Sequence, residues 1–318
     1  MQSFLPHRAH AEEWRRRYPF QSHYLPCRGF RYHFLDEGRG DPVVMIHGNP
    51  TWSFYFRSLV QALAPGYRVL VPDHLGCGLS DKPGEAAYDF RLSSRIADLE
   101  HFLAFQQLQR PITLVLHDWG GMIGMAYAVR HPERIGRIIL MNTAAFHLPP
   151  GKRLPFRLRL IRNLKALATP SVLGGNLFAA AALRMASHRG LAPDVREGLT
   201  APYDCWQHRL ATLKFVQDIP LNPEDPSYPI VSHVACNLHT LTHLPMLICW
   251  GIHDFVFDAD MLAEWRRRFP KAEIRTFAGA GHYVLEDEPE QVQFYVNRFL
   301  KRHPLVRTST GCIPQGNS

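Results

Sequence analysis

Short apolar runs recur along this chain with helical patterns between them, and that alternation constrains the fold more than any other feature. The runs span 43–46, 68–72, 112–116, 138–141, 246–250 and 274–277, and they are rich in Val, Ile and Leu. A strand that reads as a continuous apolar run is buried on both faces, as in a parallel sheet. Parallel neighbours need a crossover, and the intervening stretches 93–107 and 122–130 have helical patterning. The pattern predicts an α/β architecture with a mainly parallel sheet and flanking helices. Residues 31–35 read as an early edge strand ending at Asp36-Glu37-Gly38.

The rhythm stops after Phe146. Residues 147–239 are helical in pattern and punctuated by proline, and the strand pattern resumes near Leu244. The expected organisation is a core built from 1–146 and 240–303, a helical cap inserted at 147–239, and a flexible polar tail at 304–318. A chain of 318 residues has ample length to bury one such core.

Composition narrows the class further. Hydrophobic residues make up 46 % and charged residues 20 %, ordinary for a soluble protein. The six cysteines form no Cys-x-x-Cys pair and no zinc-like spacing, so a reduced, cytoplasmic setting without a metal is expected. No apolar segment suits a secretory signal, and the stretch 177–183 is far too short to span a bilayer. The net charge of +8 sits largely at Arg15–Arg17 and in 152–165, with no nucleic-acid recognition motif beside it.

Three motifs carry chemistry. The first is the strand, then His117-Asp118-Trp119-Gly120-Gly121, then helix, a sharp turn that projects one side chain above the sheet. An Asp there is also a plain helix cap. As a nucleophile, a carboxylate is poor against an amide but able to displace a leaving group from an sp³ carbon and form an ester. The second is His47-Gly48-Asn49-Pro50-Thr51-Trp52 after the 43–46 run. Its backbone N–H pairs with the one after the nucleophile as an oxyanion hole, and the Asn49 amide and Trp119 indole N–H suit a departing anion. The third is Gly279-Ala280-Gly281-His282, where a near-neutral imidazole is placed to activate water. Its acid partner should end the preceding strand: Asp254, directly after 246–251, is favoured over the nearby Asp258 and Asp260, and the other usual acid position, after 138–141, holds Asn142, which is no carboxylate. The chain order is then nucleophile Asp118, acid Asp254, base His282.

These motifs, with 73–83 (Asp73-His74-Leu75-Gly76-Cys77-Gly78-Leu79-Ser80-Asp81-Lys82-Pro83), resemble the haloalkane dehalogenase branch of the α/β-hydrolases over roughly 28–302. The resemblance implies the α/β-hydrolase fold, a mostly parallel eight-stranded sheet, and the subgroup that pairs Asn49 with Trp119. Stretches 141–146, 201–206, 215–220 and 282–287 are similar to the cis-β-lactone decarboxylases of long-chain olefin biosynthesis. The expected chemistry is therefore loss of carbon dioxide from a cis-β-lactone to give a cis-alkene, by attack at the ring sp³ carbon or at the carbonyl. Haloalkane hydrolysis is the alternative.

Epoxide hydrolases share the elbow, with Tyr203 and Tyr228 as candidate ring-opening acids, while a non-catalytic scaffold would show a broken triad. No organic cofactor is expected. Trp52, Phe178, Leu183, Met185, Tyr203 and Trp206 are candidates for an acyl pocket taking a hydrophobic small molecule. Segment 152–165 interleaves basic and apolar residues, as a helix lying on an anionic membrane or a partner enzyme would.

Overall fold

The structure is a computed structural model describing residues 13–163, 174 and 183–305. Its sheet has eight strands: β1 (His23–Cys27), β2 (Phe30–Glu37), β3 (Asp41–Ile46), β4 (Tyr67–Pro72), β5 (Ile112–Asp118), β6 (Ile135–Thr143), β7 (Met246–Gly251) and β8 (Glu273–Phe277). They lie in the order β1-β2-β4-β3-β5-β6-β7-β8. The pairs β1–β2 and β2–β4 are antiparallel, and all others are parallel. All seven residues of β5 are buried, which explains why the sequence reads as an unbroken apolar run there.

Alternation along the central strands divides the core in two. Val44, Ile46, Leu114 and Leu116 face one side, where they meet α3 (Leu92–Phe105), α4 (Trp119–Arg130) and α9 (Ala259–Arg268). Val43, Met45 and Val115 face the other, against α2 (Arg57–Leu63), the short α10 (Val284–Asp287) and α11 (Pro289–Arg302). A short helix α1 (Glu13–Arg16) precedes the sheet.

Between β6 and β7 the described chain forms α5 (Phe156–Asn163), α6 (Pro193–Thr200), α7 (Leu210–Gln217) and α8 (Tyr228–Asn237). Helix α8 packs on α4, with Val231 and Val234 in the core beneath the sheet. It serves as the crossover into β7, so the inserted part that roofs the site ends before Tyr228, earlier than position 239. The C-terminal boundary also moves. Leu305 is buried against Gly136 and its carbonyl accepts from Arg110 at 2.8 Å, so the chain stays anchored past 304; residues 306–318 lie outside the described set.

Candidate active site

β3 has β4 on one side and β5 on the other, so the chain leaves β3 and β5 at a reversal of strand order, where open α/β sheets place ligands. Asp118 ends β5 with φ +52° and ψ −125°, a conformation held only when the surroundings impose it. They do so by close approach. A Cβ on Gly120 would stand 2.0 Å from the Ile46 carbonyl oxygen, and one on Gly48 would stand 2.0 Å from Asp118 Oδ1. The Thr143 hydroxyl donates to the Asp118 carbonyl, tying the elbow to β6.

The Asp118 carboxylate accepts the backbone N–H of Asn49 at 2.6 Å and that of Trp119. These are the two donors expected of an oxyanion hole, and both are directed at the nucleophile itself. Burial raises the Asp118 pKa, against the pull of His282 and the two N–H groups. A carboxylate short of water but not neutralised is a stronger nucleophile than a solvated one.

His282 stands between two carboxylates. Its Nδ1 is 2.7 Å from Asp254 Oδ2 and its Nε2 is 3.6 Å from Asp118 Oδ2. Burial alone would lower the imidazole pKa, but the Asp254 charge and hydrogen bond, then Asp118, outweigh it and leave the pKa raised. Asp254 is itself clamped: Val256 and Phe257 N–H groups donate to Oδ1 at 2.7 and 3.0 Å. Asn142 Nδ2 donates to Asp254 Oδ2 and to the Gly251 carbonyl, both at 3.0 Å, while its Oδ1 accepts Gly251 N–H at 2.8 Å. The residue that cannot serve as the acid thus orients the one that does.

Three further histidines form the floor. His47 donates from Nδ1 to the Gly48 carbonyl and accepts His74 N–H at Nε2, and His74 returns a bond to the His47 carbonyl. Burial lowers the His47 pKa to about 4, so it is neutral and fixed in one tautomer. His117 donates to the His282 carbonyl at 2.9 Å and so sets the loop carrying the base.

Above Asp118 lies a cavity of about 410 Å³ lined by Asn49, Trp119 and His282 and otherwise mainly by apolar side chains, including Met122, Phe146, Val216, Ile219 and Phe257. Asn49 Nδ2 donates to the Thr212 carbonyl at 3.0 Å, which leaves its second N–H for the cavity. No acceptor among the described residues takes the Trp119 indole N–H. Met185 lines the cavity as expected, but four other described candidates do not. Trp52 is fully buried and turns the other way, its indole donating to the Gly198 carbonyl at 2.9 Å among Trp14, Tyr18 and Phe54. Tyr203 is buried with its hydroxyl on the Thr51 carbonyl at 3.3 Å, and Trp206 is 44 % exposed. Leu183 is absent from the lining, and Phe178 lies outside the described residues. Neither Tyr203 nor Tyr228, which stacks on His147, reaches the cavity, so the epoxide reading has no acid from them. The missed lining residues, Phe255 to Phe257, were legible as an apolar triplet directly after Asp254.

A buried carboxylate on a strand-to-helix elbow, an Asp254–His282 pair and this sheet order define an α/β-hydrolase fold. The chain belongs to the alpha/beta hydrolase fold family, which matches residues 41–289. It is 48 % identical over 91 % of its length to a cis-3-alkyl-4-alkyloxetan-2-one decarboxylase of Shewanella oneidensis, covering 91 % of that protein. A protein of the same name from Xanthomonas campestris pv. campestris is 41 % identical over 91 % of this chain and 98 % of its own. The crystal structure of a haloalkane dehalogenase from Agrobacterium tumefaciens superposes with a TM-score of 0.80 at 24 % identity, covering 89 % of this chain and 96 % of that one. Among the described residues no helix is long and apolar enough to cross a membrane.

Proposed function

We propose that this chain decarboxylates long-chain cis-β-lactones to cis-alkenes and carbon dioxide. The observation that carries the reading is the Asp118 carboxylate beneath a mainly apolar cavity that also presents the Asn49 amide and the Trp119 indole. An oxetan-2-one bearing two alkyl chains matches that division: apolar walls for the chains, two donors for the ring carboxylate. The names of the relatives at 48 % and 41 % identity support the same substrate.

In the proposed cycle an Asp118 oxygen attacks the ring sp³ carbon that bears oxygen. A C–O ester bond forms and the ring C–O bond breaks with inversion. The released carboxylate rests on Asn49 and Trp119. Its C–C bond electrons then form the alkene as carbon dioxide departs, and the ester oxygen leaves anti to it, restoring the Asp118 carboxylate. Neither water nor a proton is consumed.

Haloalkane hydrolysis is the second reading, favoured by the position of His282 Nε2, 3.6 Å from Asp118. There Asp118 displaces halide onto the same donors, and His282 takes a proton from the water that cleaves the ester.

The test feeds wild type a cis-dialkyl β-lactone and a 1-haloalkane, following alkene plus carbon dioxide against halide. Alkene without halide supports the decarboxylase; rapid halide release with no action on the lactone sinks it. His282→Ala with the haloalkane should trap an alkyl adduct on Asp118 by intact mass. We also propose a cytoplasmic enzyme that meets an anionic surface through α5, where Phe156 and Leu160 are exposed beside Arg157 and Arg159.

A further inference from the structure

Arg95 is anomalous. It lies on α3, is 1 % exposed, and none of its three guanidinium nitrogens has a hydrogen-bond partner among the described residues. A guanidinium stays cationic inside proteins, and an un-neutralised buried charge is costly enough to need an explanation. The nearest acid on its helix is already engaged: Asp98 accepts Arg28 at 2.6 Å and the Tyr88 hydroxyl at 2.6 Å. Instead the Arg95 guanidinium carbon sits 3.5 Å from the centroid of Phe215, over the ring face where a cation is attracted.

Phe215 links it to the reaction. Its ring lies 5.3 Å from that of Trp119, and it belongs to α7, whose Thr212 carbonyl holds the Asn49 amide. Both donors of the leaving-anion site therefore lean on one helix, and Arg95 braces that helix from behind. The two contacts in series put the guanidinium within about 9 Å of the Trp119 ring, close enough for a unit charge to act on an anion there.

We propose that Arg95 is a positioning residue for the departing anion: through Phe215 it seats Trp119, and its uncompensated charge biases the site toward anions. The inference rests on the reading of Asn49 and Trp119 as the anion clamp. Its signature separates charge from packing. Methionine at this position would fill similar space without charge, and such replacements of a buried charge are commonly neutral or stabilising, so the fold should survive. Lysine would keep the charge without the planar face.

Bromide and propionate affinity is measured by tryptophan fluorescence and by competition with the lactone, for wild type, Arg95→Met, Arg95→Lys, Asn49→Ala and Trp119→Phe. Arg95→Met should weaken both anions about tenfold, the effect of one charge at roughly 10 Å in a protein site, and lower kcat on the neutral lactone with KM little changed. Arg95→Lys should recover most of the affinity. Anion binding that Asn49→Ala abolishes but Arg95→Met leaves intact overturns the role of Arg95 alone. Equal losses in Arg95→Met and Arg95→Lys reduce it to packing. Binding indifferent to both Asn49→Ala and Trp119→Phe overturns the clamp, and the proposal with it.

Discussion

Gly48→Ala should disable the enzyme through a single collision. Gly48 has no left-handed backbone, so an alanine fits there locally, and the atoms nearest the added Cβ all belong to Asp118: Oδ1 at 2.0 Å, Cβ at 2.3 Å and Cγ at 2.5 Å. Ordinary carbon contacts begin near 3.5 Å, so the carboxylate must retreat by roughly 1 Å or more. Overpacking of this kind costs about 1–3 kcal/mol. A misplacement of about 1 Å lowers a well-aligned reaction by roughly 10²-fold, and the 2.6 Å bond from Asn49 N–H is lost as well. The expectation is a kcat on the lactone reduced at least ~10²-fold and a melting temperature lowered by several degrees. In an Asp118→Gly background these closest atoms are gone, so Gly48→Ala should there cost much less. Activity and melting of the four proteins in this cycle decide the matter. A Gly48→Ala enzyme within threefold of wild type, or one equally destabilised with and without the Asp118 side chain, refutes the geometry.

Two other outcomes follow from the electrostatics. The His282 pKa is raised, so hydrolysis of a trapped alkyl ester, which needs the neutral imidazole, should fail as pH drops through a range above that of an ordinary histidine. Decarboxylation needs only ionised Asp118, which a protonated His282 favours, so it should persist to lower pH; coincident pH profiles for the two reactions count against the proposed cycle. Asn142→Asp sets a second carboxylate 3.0 Å from Asp254 Oδ2, where one of the pair must keep a proton. Its melting temperature should approach that of wild type in acid and fall behind progressively as pH rises; parallel curves would refute this.

The sheet was readable because strands buried on both faces leave unbroken apolar runs, as 112–116 does. β1 left no such trace: Leu25 and Cys27 are its only buried residues, and Pro26 breaks a strand pattern. The meeting of Asp118, Asp254 and His282 was readable because elbow, acid turn and His loop each carry local glycine or turn signals. The pocket was less so. Trp52 adjoins the Asn49 loop in sequence, yet a short helical turn over Ser53–Phe56 swings it into the cluster around Tyr18. Which way a buried aromatic faces depends on partners tens of residues away, so Phe255 to Phe257 were missed although they directly follow Asp254. Arg95 gave no signal, since a basic residue on a helix is ordinarily solvated.

The two N–H groups that a serine enzyme would aim at its substrate's carbonyl are here occupied by the nucleophile's own carboxylate. In the haloalkane reading, where water cleaves an Asp118 ester, the tetrahedral carbon would be the Asp118 carbon, and these donors would hold an oxyanion on the protein itself. With both donors so engaged, neither is free for a substrate carbonyl, which accords with the proposed attack at the alkyl carbon. Replacing Asp118 by serine would free those donors and at the same time remove the carboxylate that the proposed displacement needs.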